Sequence, residues 1–147
     1  MHKSIAVAAF LALALPVASA ADNDAAKTAK KIEGTYTVVS ATRGGKPDEH
    51  AKDVESFTIK DGKITIAMKG GKDMTAKFTL DPSKKPAQID LMPEDSKDET
   101  IKGIYETKDT DKGLELNIAF GREGSDRPKD FKGAADNETS VKFLRKK

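Results

Sequence analysis

The sequence predicts an all-β fold, an up-and-down antiparallel barrel of about eight strands with a short helix ahead of it. After Gly34 apolar and polar residues alternate in short runs, the period of a strand with one buried face. The runs are joined mostly by brief turns of Gly, Asp, Pro and Lys, too short for the crossovers that parallel strands need. A sheet with one apolar face closes most economically on itself, and a two-sheet sandwich is the competing arrangement.

Taken in order, residues 1–20, MHKSIAVAAFLALALPVASA, have a basic start at His2 and Lys3, an apolar run from Ile5 to Leu15 and a small-residue site at Ala18-Ser19-Ala20. This is the pattern of a secretory signal peptide cleaved after Ala20, and the run is shorter than the roughly 20 residues of a bilayer span. Residues 21–31 are an Ala/Lys-rich leader able to form a helix, with Asp24 as an N-cap. Residues 32–147 make one β domain. Its first strand, Thr35–Thr42, puts Tyr36 and Val38 on one face, and the loop RGGKPDEH follows. Strand two, Val54–Lys60, carries Phe57 and Ile59, and Asp61-Gly62 makes a tight hairpin into strand three, Lys63–Met68. Strand four, Met74–Leu80, aligns Ala76, Phe78 and Leu80. Strand five, Ala87–Met92, sets Ile89 and Leu91 against outward Gln88 and Asp90. Strand six, Glu99–Thr107, groups Ile101, Gly103 and Tyr105. Strand seven, Gly113–Phe120, groups Leu114, Leu116, Ile118 and Phe120. A long polar loop, 121–138, leads to strand eight, Thr139–Arg145, with Val141 and Phe143 inward.

Composition excludes several classes of function. The chain has 147 residues, with 26 Lys+Arg against 24 Asp+Glu, so its net charge of +2 provides no one-signed field for nucleic acid. The absence of Cys removes disulfides, thiolate metal sites and Cys nucleophiles. After signal removal His50 is the remaining histidine and cannot build a zinc site alone; no G-x-S-x-G or P-loop occurs, and nothing places two carboxylates inward and opposed. The expectation is a non-enzyme with no cofactor and no metal.

One charge breaks the inside-outside rule. Val141, Phe143 and Arg145 share a face, so a guanidinium lies on the apolar side unless it belongs to a frayed RKK tail. In a closed meander the first and last strands are neighbours, which brings Arg145 to Tyr36 just after Gly34, an Arg-over-aromatic plug for one barrel end. Gly34-Thr35-Tyr36 followed by a terminal-strand Arg resembles the Gly-x-Trp and Arg signature of lipocalins and related calycin barrels, with Tyr for Trp. The order IEGTYTVVSATRGGKP, FTLDPSKKPAQIDL, IKGIYE, DRPKDF is similar to a lipocalin-like domain family abundant in exported planctomycete proteins. The resemblance implies a lipocalin-like barrel closed by Gly34, Tyr36 and Arg145, and brings no activity, catalytic residue or ligand with it.

Other candidates are weaker. Asp109-Thr110-Asp111-Lys112-Gly113 has calcium-loop spacing at its start but Leu114 and Phe120 where Gly and Glu are needed, so it reads as a hairpin turn. The DPSKKPAQID block reads as a turn with an outward Asp90. In the long loop, Arg127 and Asp130 can bind an anionic group at the barrel mouth or tie the loop to the barrel, and the need to anchor so long a loop favours tying. Tyr105 can offer its hydroxyl to a ligand inside the barrel or simply pack in the core. The sequon at Asn137 matters only in a eukaryotic secretory pathway.

Two functions compete. One is a secreted or periplasmic monomer that binds a small apolar or amphipathic ligand, does not insert in a membrane, and uses Tyr105, Arg127 and Asp130 as its tentative ligand contacts. The other is a solid-core module of the cell envelope that binds another protein through its loops. An interior cavity of roughly 300 Å³ or more separates the two.

Overall fold

The computed structural model describes residues 20–96, 98–122 and 124–147; the signal-peptide reading of residues 1–20 lies outside these except for Ala20. The elements are α1 (Ala20–Lys31), β1 (Gly34–Arg43), β2 (Lys46–Pro47), a 3-10 turn (Glu49–Asp53), β3 (Val54–Lys60), β4 (Lys63–Met68), β5 (Met74–Asp81), β6 (Ala87–Pro93), β7 (Ile101–Thr110), β8 (Gly113–Gly121) and β9 (Glu138–Lys146). Each strand pairs antiparallel with the next in sequence, except that β1 pairs with both the short β2 and β3, β2 pairs with β1 alone, and β9 returns to β1. The result is a closed eight-stranded antiparallel barrel with one short helix on its N-terminal side. Closure removes the exposed sheet edges that a sandwich would leave.

Turn chemistry sets the register. Asp61 and Gly62 both have positive φ, 51° and 75°, the two-residue turn that matches strand twist. Lys60 pairs Lys63 across it, which puts Phe57 opposite Ile66 and Ile59 opposite Ile64 on the inner face. Residues 109–113 form the expected hairpin turn, between β7 and β8, where the Thr110 hydroxyl donates to the Gly113 carbonyl at 2.8 Å.

β1 departs from simple alternation. Its pairing with β9 shifts between Val38 and Ser40, a bulge that leaves Val39 exposed. Beyond it the parity of β1 flips, and Ala41 and Arg43 turn to the inside with Val38. The loop RGGKPDEH is not irregular either: Lys46 and Pro47 form β2 against the end of β1, and the Asp48 carboxylate accepts from the His50 amide to start the 3-10 turn.

The interior core runs from Ile32 and Tyr36 through Ile59, Phe78, Ile89, Tyr105, Leu114 and Leu116 to Phe57 and Phe143. Ile104 and Ala119 are directly opposed across β7 and β8 and lie outside that cluster, yet both are buried. Among the described residues, no helix is long and apolar enough to cross a membrane.

Candidate ligand-binding cavity

The two barrel ends are built differently. At one end α1 closes the barrel, packing against β5 and pressing Ala29 onto the interior core. Ala favours the helix, and Lys30 and Lys31 complement the negative end of its dipole. Its last carbonyls have no partners within the helix. Arg145 supplies them: its Nη1 donates to the Lys31 carbonyl at 2.8 Å and to the Glu33 carbonyl. The Tyr36 hydroxyl donates to the Ile32 carbonyl at 2.7 Å, and the Arg145 guanidinium lies 5.9 Å from the Tyr36 ring centre. Burial pushes the Tyr36 phenol up, partly offset by the Arg145 charge. Gly34, at φ +142°, leaves room for this arginine, since a Cβ there would sit 2.5 Å from Arg145 Cδ. Gly34, Tyr36 and Arg145 thus meet at one barrel end and anchor the helix that covers it.

Midway along the axis Phe57 and Phe143 stack with ring centres 4.0 Å apart, and Tyr36 meets both edge-on at 6.1 and 6.5 Å. Together these rings form a floor. On their α1 side Ile59, Ile89 and Leu116 are at most 1% exposed. On the other side the barrel holds a cavity of about 380 Å³. Its wall is mostly aliphatic, with Val38, Ile66, Met68, Leu91, Ile118 and Val141 representative. Small residues make part of the room, because Ala41 and Ala76 stand where larger side chains would meet across the barrel.

The mouth of the cavity is polar. Arg43 Nη2 lies 3.2 Å from Asp48 Oδ2, and Arg43 Nε donates to the Thr139 hydroxyl at 3.3 Å. The Asp48 side chain is 8% exposed while that of Arg43 is 45% exposed, so the pair runs from the barrel wall out to the open mouth. His50, Thr75 and Asp95 complete the polar lining. Among the described residues no group of His, Asp and Glu is arranged to hold a metal ion.

None of the three tentative ligand contacts lines this cavity. Tyr105 belongs to the packed half, where burial pushes its phenol up, an effect the nearby Thr28 side chain partly offsets; its hydroxyl has no partner of ordinary hydrogen-bond geometry among the described residues. Arg127 donates to the carbonyls of Gly103 at 2.7 Å and Ile89 at 3.3 Å. It also lies 2.8 Å from Asp90 Oδ1, an ion-pair contact without hydrogen-bond alignment. Asp90 points outward, so Arg127 ties the long loop to the barrel wall. Asp130 accepts from the Lys132 amide at 2.9 Å, within its own turn. The residues that sequence reasoning missed are Arg43 and Asp48. By unbroken alternation from Tyr36, Arg43 faces outward, and only the bulge reverses it. The local signal available was the Asp-x-His cap of the 3-10 turn, which places Asp48 but not its partner. No family model matches the chain, and no curated protein or solved structure matches it.

Proposed function

We propose that the protein is a non-enzymatic, lipocalin-like binder that holds one small apolar or amphipathic molecule in the open half of its barrel. It works as a monomer outside the cytoplasm after loss of residues 1–20. The observation that carries this reading is the cavity of about 380 Å³, within the range of small-molecule sites, about 300–1,000 Å³. Its wall offers mainly aliphatic contact, and its polar groups gather at one rim, the arrangement that suits a ligand with an apolar body. The competing reading, a solid barrel that binds another protein through its loops, draws support only from the packed half below Phe57 and Phe143.

The test is a titration with N-phenyl-1-naphthylamine, a neutral fluorophore that brightens in apolar surroundings. The expected result is saturable one-to-one binding by the full domain, lost in Ala76→Phe, which fills the cavity, with Tm held within a few degrees. Absence of saturable binding, or equal binding by Ala76→Phe, overturns the reading.

A further inference from the structure

The charges at the mouth bear on what kind of head group the cavity accepts. Among the described residues Arg43 is the one Lys or Arg in the cavity lining, and its charge is already paired with Asp48 at 3.2 Å. Its Nε is committed as well, to Thr139. Asp95 also lines the mouth and makes no ion pair among the described residues. Among the charged side chains of the lining, Arg43 stands against Asp48 and Asp95, an excess of one acid. The turns around the mouth lean the same way: in residues 44–53, 69–73 and 94–100 acids outnumber lysines by eight to five, while the long loop 122–137 has four of each sign. A carboxylate entering here meets an arginine already neutralised and a field that repels it.

We propose, on the strength of the ligand-binding reading above, that the molecule held in the open half carries a cationic head group. An amine or quaternary ammonium sits at the mouth beside Asp95, with the hydrocarbon body against the aliphatic wall. The aliphatic wall supplies most of the affinity and the rim supplies the choice of charge, because an exposed charge contact adds modest energy while like-charge contact excludes the wrong partner.

Three ligands that differ only in the head test this: decyltrimethylammonium, decanol and decanoate, each below its micelle concentration, titrated calorimetrically at pH 7.5 and low salt. The expected order is cation, then alcohol, then carboxylate, with the cation ahead of the carboxylate by at least about fivefold and the gap narrowing as salt is raised. Asp95→Asn should shrink the gap, with the folding of the variant read separately from its melting curve. Asp48→Asn should shrink it further, because it frees the Arg43 charge. Equal binding of cation and carboxylate, or a preference for decanoate, with decanol still bound, overturns the charge assignment and leaves the cavity reading standing. Failure of all three to bind overturns both.

Discussion

The two halves of the barrel use the same strands and the same alternation, yet one is solid and the other open. Below the Phe57–Phe143 stack the inward positions hold Tyr36, Ile59, Phe78, Tyr105 and Leu116 under the cover of α1. Above it they include Ala41 and Ala76, among the described residues no α-helix covers the opening, and about 380 Å³ is left. A barrel of this strand number is just wide enough for side chains to fill it or to hold one small ligand. Side-chain volume at a few inward positions decides which, layer by layer along the axis. Stability therefore concentrates at one end and ligand capacity at the other.

The largest effect that should expose this division comes from truncating matched leucines. Leu116 is completely buried in the packed half, so Leu116→Ala is expected to cost about 2–5 kcal/mol in urea unfolding. Leu91 is half-buried and already faces the cavity, so Leu91→Ala should cost about 1–2 kcal/mol. Equal costs would mean the halves are equally packed.

Next comes the closure. Arg145→Ala should lower stability by about 1–3 kcal/mol, because the last carbonyl of α1, on Lys31, and that of Glu33 just beyond it lose a charged donor. Arg145→Lys should recover little of it, since an ammonium lacks the planar guanidinium that lies over the Tyr36 ring while its Nη1 donates to both carbonyls. An unchanged melting curve for Arg145→Ala would return that residue to a solvated tail.

The two tyrosines sharpen the comparison within the packed half. Tyr36→Phe removes a buried hydrogen bond to Ile32 and should cost about 1 kcal/mol. Tyr105→Phe removes a hydroxyl with no partner of ordinary geometry and should be neutral or stabilising. Both phenols are pushed above their ordinary 10.0 by burial. The folded chain thus holds these protons more tightly than the unfolded chain does, so their contribution is complete below about pH 10 and is lost as pH rises above it. Urea midpoints measured from pH 8 to 11 should fall at the alkaline end, and less steeply in Tyr36→Phe.

The smallest effect concerns the loop. Arg127→Ala should shift global stability by less than about 1 kcal/mol while speeding proteolytic nicking within residues 122–137, because Arg127 ties that loop to the β6–β7 wall. Fluorophore binding should be unchanged.

Much of the barrel was readable because its strands are short, half-buried and punctuated by turns with strict backbone demands. Strands β3 and β4 fall where alternation and the Asp61-Gly62 turn place them. The Tyr36–Arg145 meeting was readable because a closed meander makes the chain ends of the sheet neighbours. Three features escaped for physical reasons. The bulge at Val39 has no local sequence mark and reverses Arg43, moving the polar rim to an unexpected residue. Ile104 and Ala119 lie on the outer face yet are buried, which a period of two cannot foresee. Whether the inside is filled depends on the stacking of Phe57 on Phe143, a contact between β3 and β9 that neither strand's pattern reveals. Arg127 bonds two carbonyls of the barrel wall, as the anchoring of so long a loop favours, whereas Tyr105 lies in the packed core and Asp130 in its own turn.

The division into a solid half and an open half is tested most directly by crystals pressurised with xenon, which enters apolar voids of suitable size. Anomalous density is expected inside the barrel between Ile66, Leu91 and Val141, above the Phe57–Phe143 stack, with none beneath α1. An interior free of xenon, or xenon lodged only on the α1 side, would contradict it.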